Sequence, residues 1–91
     1  MANKYYVIRT DTDGSYPEIV SEHTNKREAK SKCYHWGHLR DIGNALRRDE
    51  GSRSRNHCHY FVTTSAEPIM KEEFEGFEVP FINRANVIYE A

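Results

Sequence analysis

Two cysteines are too few to staple this chain: Cys33 and Cys58 form at most one bridge, which excludes a disulfide scaffold and predicts reduced thiols in an intracellular protein. Apolar runs are short. None approaches the length of a bilayer span, and the opening MANKYYVIRT has no apolar core of a secretory leader, so a cytoplasmic chain with no membrane partner is expected. There is no glycine-rich phosphate loop, and the serines fall in loops and turns with no base and oxyanion partner beside them. These gaps argue against an enzyme and against a bound cofactor. No repeat and no dividing linker interrupts the 91 residues, which read as a single domain, 1–91.

What is present is charge, and it is segregated. Between His23 and His59 nine Lys/Arg face four Asp/Glu, whereas the remainder has four against ten, and all five histidines fall in the basic stretch. The expected surface has a positive region and a negative one. Eleven aromatics, six of them tyrosine, supply a modest core.

The local patterns predict an α+β fold. KYYVIRT and the residues after Asp13-Gly14 read as two strands joined by a hairpin turn. Asp11-x-Asp13-Gly14 also matches the first positions of a calcium loop, but the later acidic ligands are missing, so the turn is preferred. Asn25 with Glu28 three residues on fits a capping box that opens a long helix closed by Gly51. Ala29, Cys33, Trp36, Leu39, Ile42 and Leu46 form an apolar stripe expected to lie on the sheet, with a break near Gly37 or Gly43 where the stripe drifts round the axis. GSRSRN reads as a loop and HCHYFVTT as a strand. SAEPIMKEEFEGFEVPF reads as a short helix with Pro68 in its first turn, Met70 and Phe74 on one side and Gly76 at its end, the residues after it being extended or irregular because of Pro80; RANVIYE closes as an edge or terminal strand. The expected architecture is β-β-α-β plus a short C-terminal helix and a final strand: an antiparallel sheet of three to four strands with one long helix on one face.

Alternation along the third strand puts His57, His59, Phe61 and Thr63 on one face and Cys58, Tyr60 and Val62 on the other. If the second set meets the helix, His57 and His59 stand together and form a candidate metal pair. His57-Cys58-His59 resembles the histidine–hydrophobic–histidine motif of HUH endonucleases, in which two imidazoles hold the metal and a tyrosine attacks the phosphate. The resemblance covers these three residues, and after them only Tyr60 and Tyr89 offer a phenol. A zinc site drawing on Cys33, His35 and His38 together with His57, Cys58 and His59 is the other metal reading, at a spacing that matches no common finger or ribbon. Polar surface histidines and buried thiols are the simpler expectation.

Two stretches suit macromolecular contact. KEEFEGFEVPF interleaves Glu72, Glu73, Glu75 and Glu78 with Phe74, Phe77, Val79 and Phe81, so that Phe74 and Phe77 are candidate anchors and the carboxylates guide encounter with a basic, grooved protein. The alternative is nucleic acid held by Arg47, Arg48, Arg53 and Arg55, with Lys26, Arg27, Lys30 and Arg40 on the helix's outer side. In size and segregated charge the chain resembles in general style the accessory and host-modulating proteins of phages and mobile elements. The preferred reading is a non-enzymatic modulator or inhibitor that binds a protein partner, with a homodimer through an uncovered sheet face or edge a further expectation.

Overall fold

The computed structural model describes residues 4–49 and 57–91, and for 47–49 the backbone only. The expected α+β class is what the chain adopts. Strands β1 (Tyr5–Thr10), β2 (Glu18–His23), β3 (His59–Thr64) and β6 (Val87–Glu90) form an antiparallel sheet in the order β2-β1-β3-β6, and helix α1 (Lys26–Asp49) crosses one face. Strands β4 (Ile69–Phe74) and β5 (Phe77–Ile82) form a second, two-stranded antiparallel sheet.

Alternation in the central strands divides the core. Val7, Cys58, Tyr60 and Val62 pack under Ala29 and Cys33 of the helix, while Ile8 and Phe61 turn to the opposite face and meet Ile82. Burying an aliphatic or aromatic side chain of this kind stabilises by about 1.5–3 kcal/mol, so Val7, Ile8, Phe61 and Val62, each at most 1% exposed, carry much of the fold.

Helix α1 starts where the capping residue says it should. Asn25 Oδ1 accepts from the backbone N–H of Arg27 at 2.8 Å and of Glu28 at 3.3 Å. The other half of the box is replaced, because the Glu28 carboxylate meets His23 Nδ1 at 2.9 Å. The helix runs unbroken through Gly37 and Gly43. Gly37 serves the packing instead: a Cβ there would lie 3.0 Å from that of Ala91, so the missing side chain lets the residue after β6 approach the helix.

The apolar stripe is corrected in its second half. Ala29 and Cys33 are buried and Trp36 packs beside them, but Leu39, Ile42 and Leu46 are 45%, 43% and 58% exposed. At about 100° per residue a straight helix continues the face of Cys33 through Gly37, Arg40 and Asn44 and carries the leucine–isoleucine positions round to the far side. Arg40, expected on the outer side, turns inward: its Nη1 donates to the carbonyls of Cys58 (2.7 Å) and Ala91 (3.2 Å), and its guanidinium stands 6.0 Å from the Tyr60 ring centre.

The short helix expected to end at Gly76 is instead strand β4 and the turn of a β-hairpin, and the residues after it, expected to be extended or irregular, are strand β5. Glu75 and Gly76 both have positive φ, 51° and 85°, the geometry that a two-residue turn of right-twisting strands demands. Pro80 sits opposite Lys71, and the alternation Phe77-x-Val79-x-Phe81 has period two.

Candidate protein-binding arm

The β4–β5 hairpin is an arm, and its attachment explains which of its residues stay free. At the base, Ile82 is buried against Ile8 and Phe61, and the Arg84 guanidinium carbon lies 5.6 Å over the Phe61 ring. A 3₁₀ turn, Arg84–Asn86, follows. The Asn83 side chain donates to the Glu67 carbonyl at 2.9 Å, and that of Asn86 donates to the Ala66 carbonyl, so two amides tie the ends of the arm together.

A second seat comes from the connection between β1 and β2. It is longer than the tight turn expected: Gly14 N–H closes a turn on the Asp11 carbonyl, and the chain then runs alongside β5, with a bridge between Ser15 and Phe81. Tyr16 N–H donates to Pro80 O at 2.9 Å and Ile82 N–H to Gly14 O at 3.0 Å. Gly14 has φ of 86°, and a Cβ there would meet Arg84 Nη2 at 3.3 Å, so both the turn and the seat call for glycine. The hydroxyl and the backbone N–H of Ser15 donate to Asp13 Oδ1, holding the Asp13 carboxyl below its ordinary range.

Beyond that seat the arm carries its own pattern. Register places Met70 opposite Phe81, Glu72 opposite Val79 and Phe74 opposite Phe77, so these six share one face. Lys71, Glu73, Glu78 and Pro80 share the other, where Lys71 Nζ approaches Glu78 at 4.0 Å. Phe74 is 67% exposed and Phe77 74%, well beyond an ordinary surface aromatic. The partner-binding residues expected from the sequence, the anchors Phe74 and Phe77 and the carboxylates Glu72, Glu73, Glu75 and Glu78, are thus brought to one projecting element, all exposed. Phe81 and Val79 are half-buried nearer the seat.

The metal candidates are not assembled. His57 is exposed, and His59 stands on the Phe61 face with its Nδ1 3.5 Å from Glu90 Oε1. His35 is exposed on the helix beside a groove lined by His23, Asn25, Arg27 and Lys32. Among the described residues no three His, Cys, Asp or Glu side chains come together as a metal site. Cys33 and Cys58 are free and buried, and burial pushes the Cys33 thiol up to about 12. The Tyr60 phenol is raised by the same cause.

Of the nucleic-acid candidates, Arg53 and Arg55 lie outside the described residues, as does the helix stop at Gly51; Arg47 and Arg48 belong to the last turns of α1. Arg40 is occupied by carbonyls. Among the described residues no helix is long and apolar enough to cross a membrane. Sequence reasoning missed Leu39, Ile42 and Leu46 as surface residues; their positions four, three and four apart from His35 were the signal, since that spacing follows one side of a helix and Cys33–Gly37–Arg40–Asn44 follows another. Compared with protein-family models, curated proteins and solved structures, the chain matches none.

Proposed function

We propose that this chain is a non-enzymatic binding protein, a modulator that engages a protein partner through the β4–β5 arm. The observation that carries the reading is the exposure of Phe74 and Phe77 on a hairpin that leaves the body of the fold. Two aromatics held in water at a turn contribute little to folding, whereas an aromatic inserted into a partner's pocket is among the strongest contributors to an interface. Both side chains stand on two-χ aromatic frames over a hydrogen-bonded ladder, so little conformational freedom is lost when they dock.

The carboxylates define the partner's chemistry. Glu72, Glu73, Glu75 and Glu78 outnumber Lys71 along the arm, which favours an apolar groove rimmed by lysine or arginine and repels an acidic one or a phosphate backbone. Affinity capture by the wild-type chain and by the Phe74→Ala/Phe77→Ala variant, each with and without nuclease, tests the proposal. Capture that survives nuclease and disappears in the variant supports it. Capture that nuclease abolishes and that the variant retains refutes it in favour of nucleic acid at the basic stretch.

A further inference from the structure

An edge strand offers unpaired backbone N–H and C=O groups to any extended chain, and most edges of this fold are blunted. Between β1 and β2 the register shifts so that Val7 faces Ser21 and Ile8 faces Ile19, which leaves Val20 as an extra residue in β2. The same shift between β3 and β6 leaves Ile88 extra in a strand of four residues. Such bulges bend an edge out of line for pairing. The outer side of β5 is covered by residues 14–16. Strand β4 differs: it pairs with β5 residue for residue from Ile69 to Phe74, with no bulge and no proline, and all of its residues are exposed.

The bonds on the covered side fix which groups β4 shows to solvent. Pro80 O and Ile82 N–H turn away from β4, toward Tyr16 and Gly14. Opposite residues of an antiparallel pair either exchange bonds or both turn away. Lys71, opposite Pro80, and Ile69, opposite Ile82, therefore turn their N–H and C=O to the open side, and the alternation adds Glu73. Among the described residues no backbone group outside the hairpin bonds to them. Resting on the arm reading above, we propose that this open edge takes a strand from the protein partner, an extended segment in which two adjacent basic residues lie between apolar ones.

Cross-strand pairing sets that chemistry. Glu72 and Glu73 are neighbours in β4 and stand on opposite faces, so consecutive lysines or arginines in the incoming strand answer both. Glu78, opposite Glu73 in the hairpin, adds to the same charge, while Lys71 calls for a neutral neighbour. Met70 and Phe74 flank Glu72 on its own face, 47% and 67% exposed, and are covered by apolar residues of the new strand. A second copy of β4 fits less well: any two-fold pairing centred on Lys71, Glu72 or Glu73 sets that residue against its own copy, like charge on like.

The probe is the peptide acetyl-Thr-Val-Lys-Lys-Thr-Val-Thr-amide, which read antiparallel sets valine on Phe74, the lysines on Glu73 and Glu72, threonine on Lys71 and valine on Met70. Amide hydrogen exchange of the full chain, followed by NMR, reads the edge directly. At a peptide concentration about ten times the dissociation constant, the Lys71 and Glu73 amides are expected to slow about 10-fold. Lys71→Pro removes one outward donor and no bond to β5, and because it also removes a positive charge, electrostatics alone would tighten binding. It is expected to weaken the peptide about 10-fold or more, whereas Lys71→Ala, which keeps the N–H, binds at least as well as wild type. Circular dichroism verifies the fold of both, and a peptide methylated on alternate amide nitrogens fails by the same loss of donors without any change to the chain. The peptide with glutamates for lysines is expected not to bind. No binding up to about 1 mM, binding without slowed exchange at Lys71 and Glu73, or equal binding by the proline and alanine variants overturns the inference. Protection of those two amides in the chain alone, rising with its concentration, also overturns it, in favour of a second copy. If protein capture is lost in Phe74→Ala/Phe77→Ala but kept in Lys71→Pro, strand addition falls and the arm reading stands; if both variants capture as wild type does, both fall.

Discussion

Replacing Arg40 by methionine separates the reading of this residue as a surface cation from its place in the structure. The guanidinium donates to the Cys58 carbonyl at 2.7 Å and to the Ala91 carbonyl at 3.2 Å, linking the helix to the start of β3 and to the residue after β6. A hydrogen bond from a charged donor contributes about 1.5–3 kcal/mol, the shorter of these the greater part. The contact with the Tyr60 ring, at 6.0 Å, adds about 0.5 kcal/mol. Against this, the carbonyls left behind regain some water, since the Arg40 side chain is 15% exposed, and methionine preserves the apolar stem. The pair with Asp41, itself largely exposed, changes little. The net loss is about 2–3 kcal/mol. Urea unfolding followed by tryptophan fluorescence measures it, with Trp36 as the only tryptophan, and at about 4–8 °C per kcal/mol for a domain of this size the melting temperature falls by roughly 10–20 °C. Arg27→Met is the control, an exposed cation on the same helix expected to shift stability by no more than about 0.5 kcal/mol. If Arg40→Met stays within that same margin, the argument that Arg40 clamps the helix to the sheet is refuted.

Two further perturbations probe the core. Thr63 is fully buried, and among the described residues its Oγ1 is one of two buried side-chain polar atoms with no hydrogen-bond partner, so Thr63→Val is expected to be neutral or to stabilise by up to about 1 kcal/mol in the same urea assay; a loss above that size would show that the hydroxyl is bonded. The Cys33 thiol, raised by burial to about 12 from an ordinary 9.0, keeps its proton in the folded chain after the unfolded chain has lost it. The stability it contributes is therefore complete below about pH 9 and is lost as pH rises toward 12, at roughly 1.4 kcal/mol per pH unit. Cys33→Ala should flatten that slope in pH-dependent unfolding, and an unchanged slope would assign it to other groups.

The third strand was legible because its alternation is unambiguous: Cys58, Tyr60 and Val62 meet the helix, and Phe61 does not. The arm was misread for an equally physical reason. Met70 and Phe74 are four apart, a spacing that puts two residues on the same side of a helix and also of a strand, so that pair cannot discriminate. Pro80 and the period-two run through Phe77, Val79 and Phe81 did carry the answer, together with Glu75-Gly76 as a turn. For Arg40 charge alone points to the surface, and the structure differs. Position 40 continues the face of Cys33, and two carbonyls there accept its protons. The acidic aromatic residues form a recognisable unit in the sequence, but their exposure depends on Gly14, Ser15 and Tyr16 holding β5 from far along the chain, which no local pattern encodes.

At the tip of the arm, a Cβ added at Gly76 would find no atom of the described residues within 4 Å. Residues near the turn are therefore exempt from the packing constraints that govern Val7 or Phe61. Their identity can drift, lengthen or be exchanged while the scaffold is inherited unchanged, so selection for a new target acts on a handful of codons without putting the fold at risk.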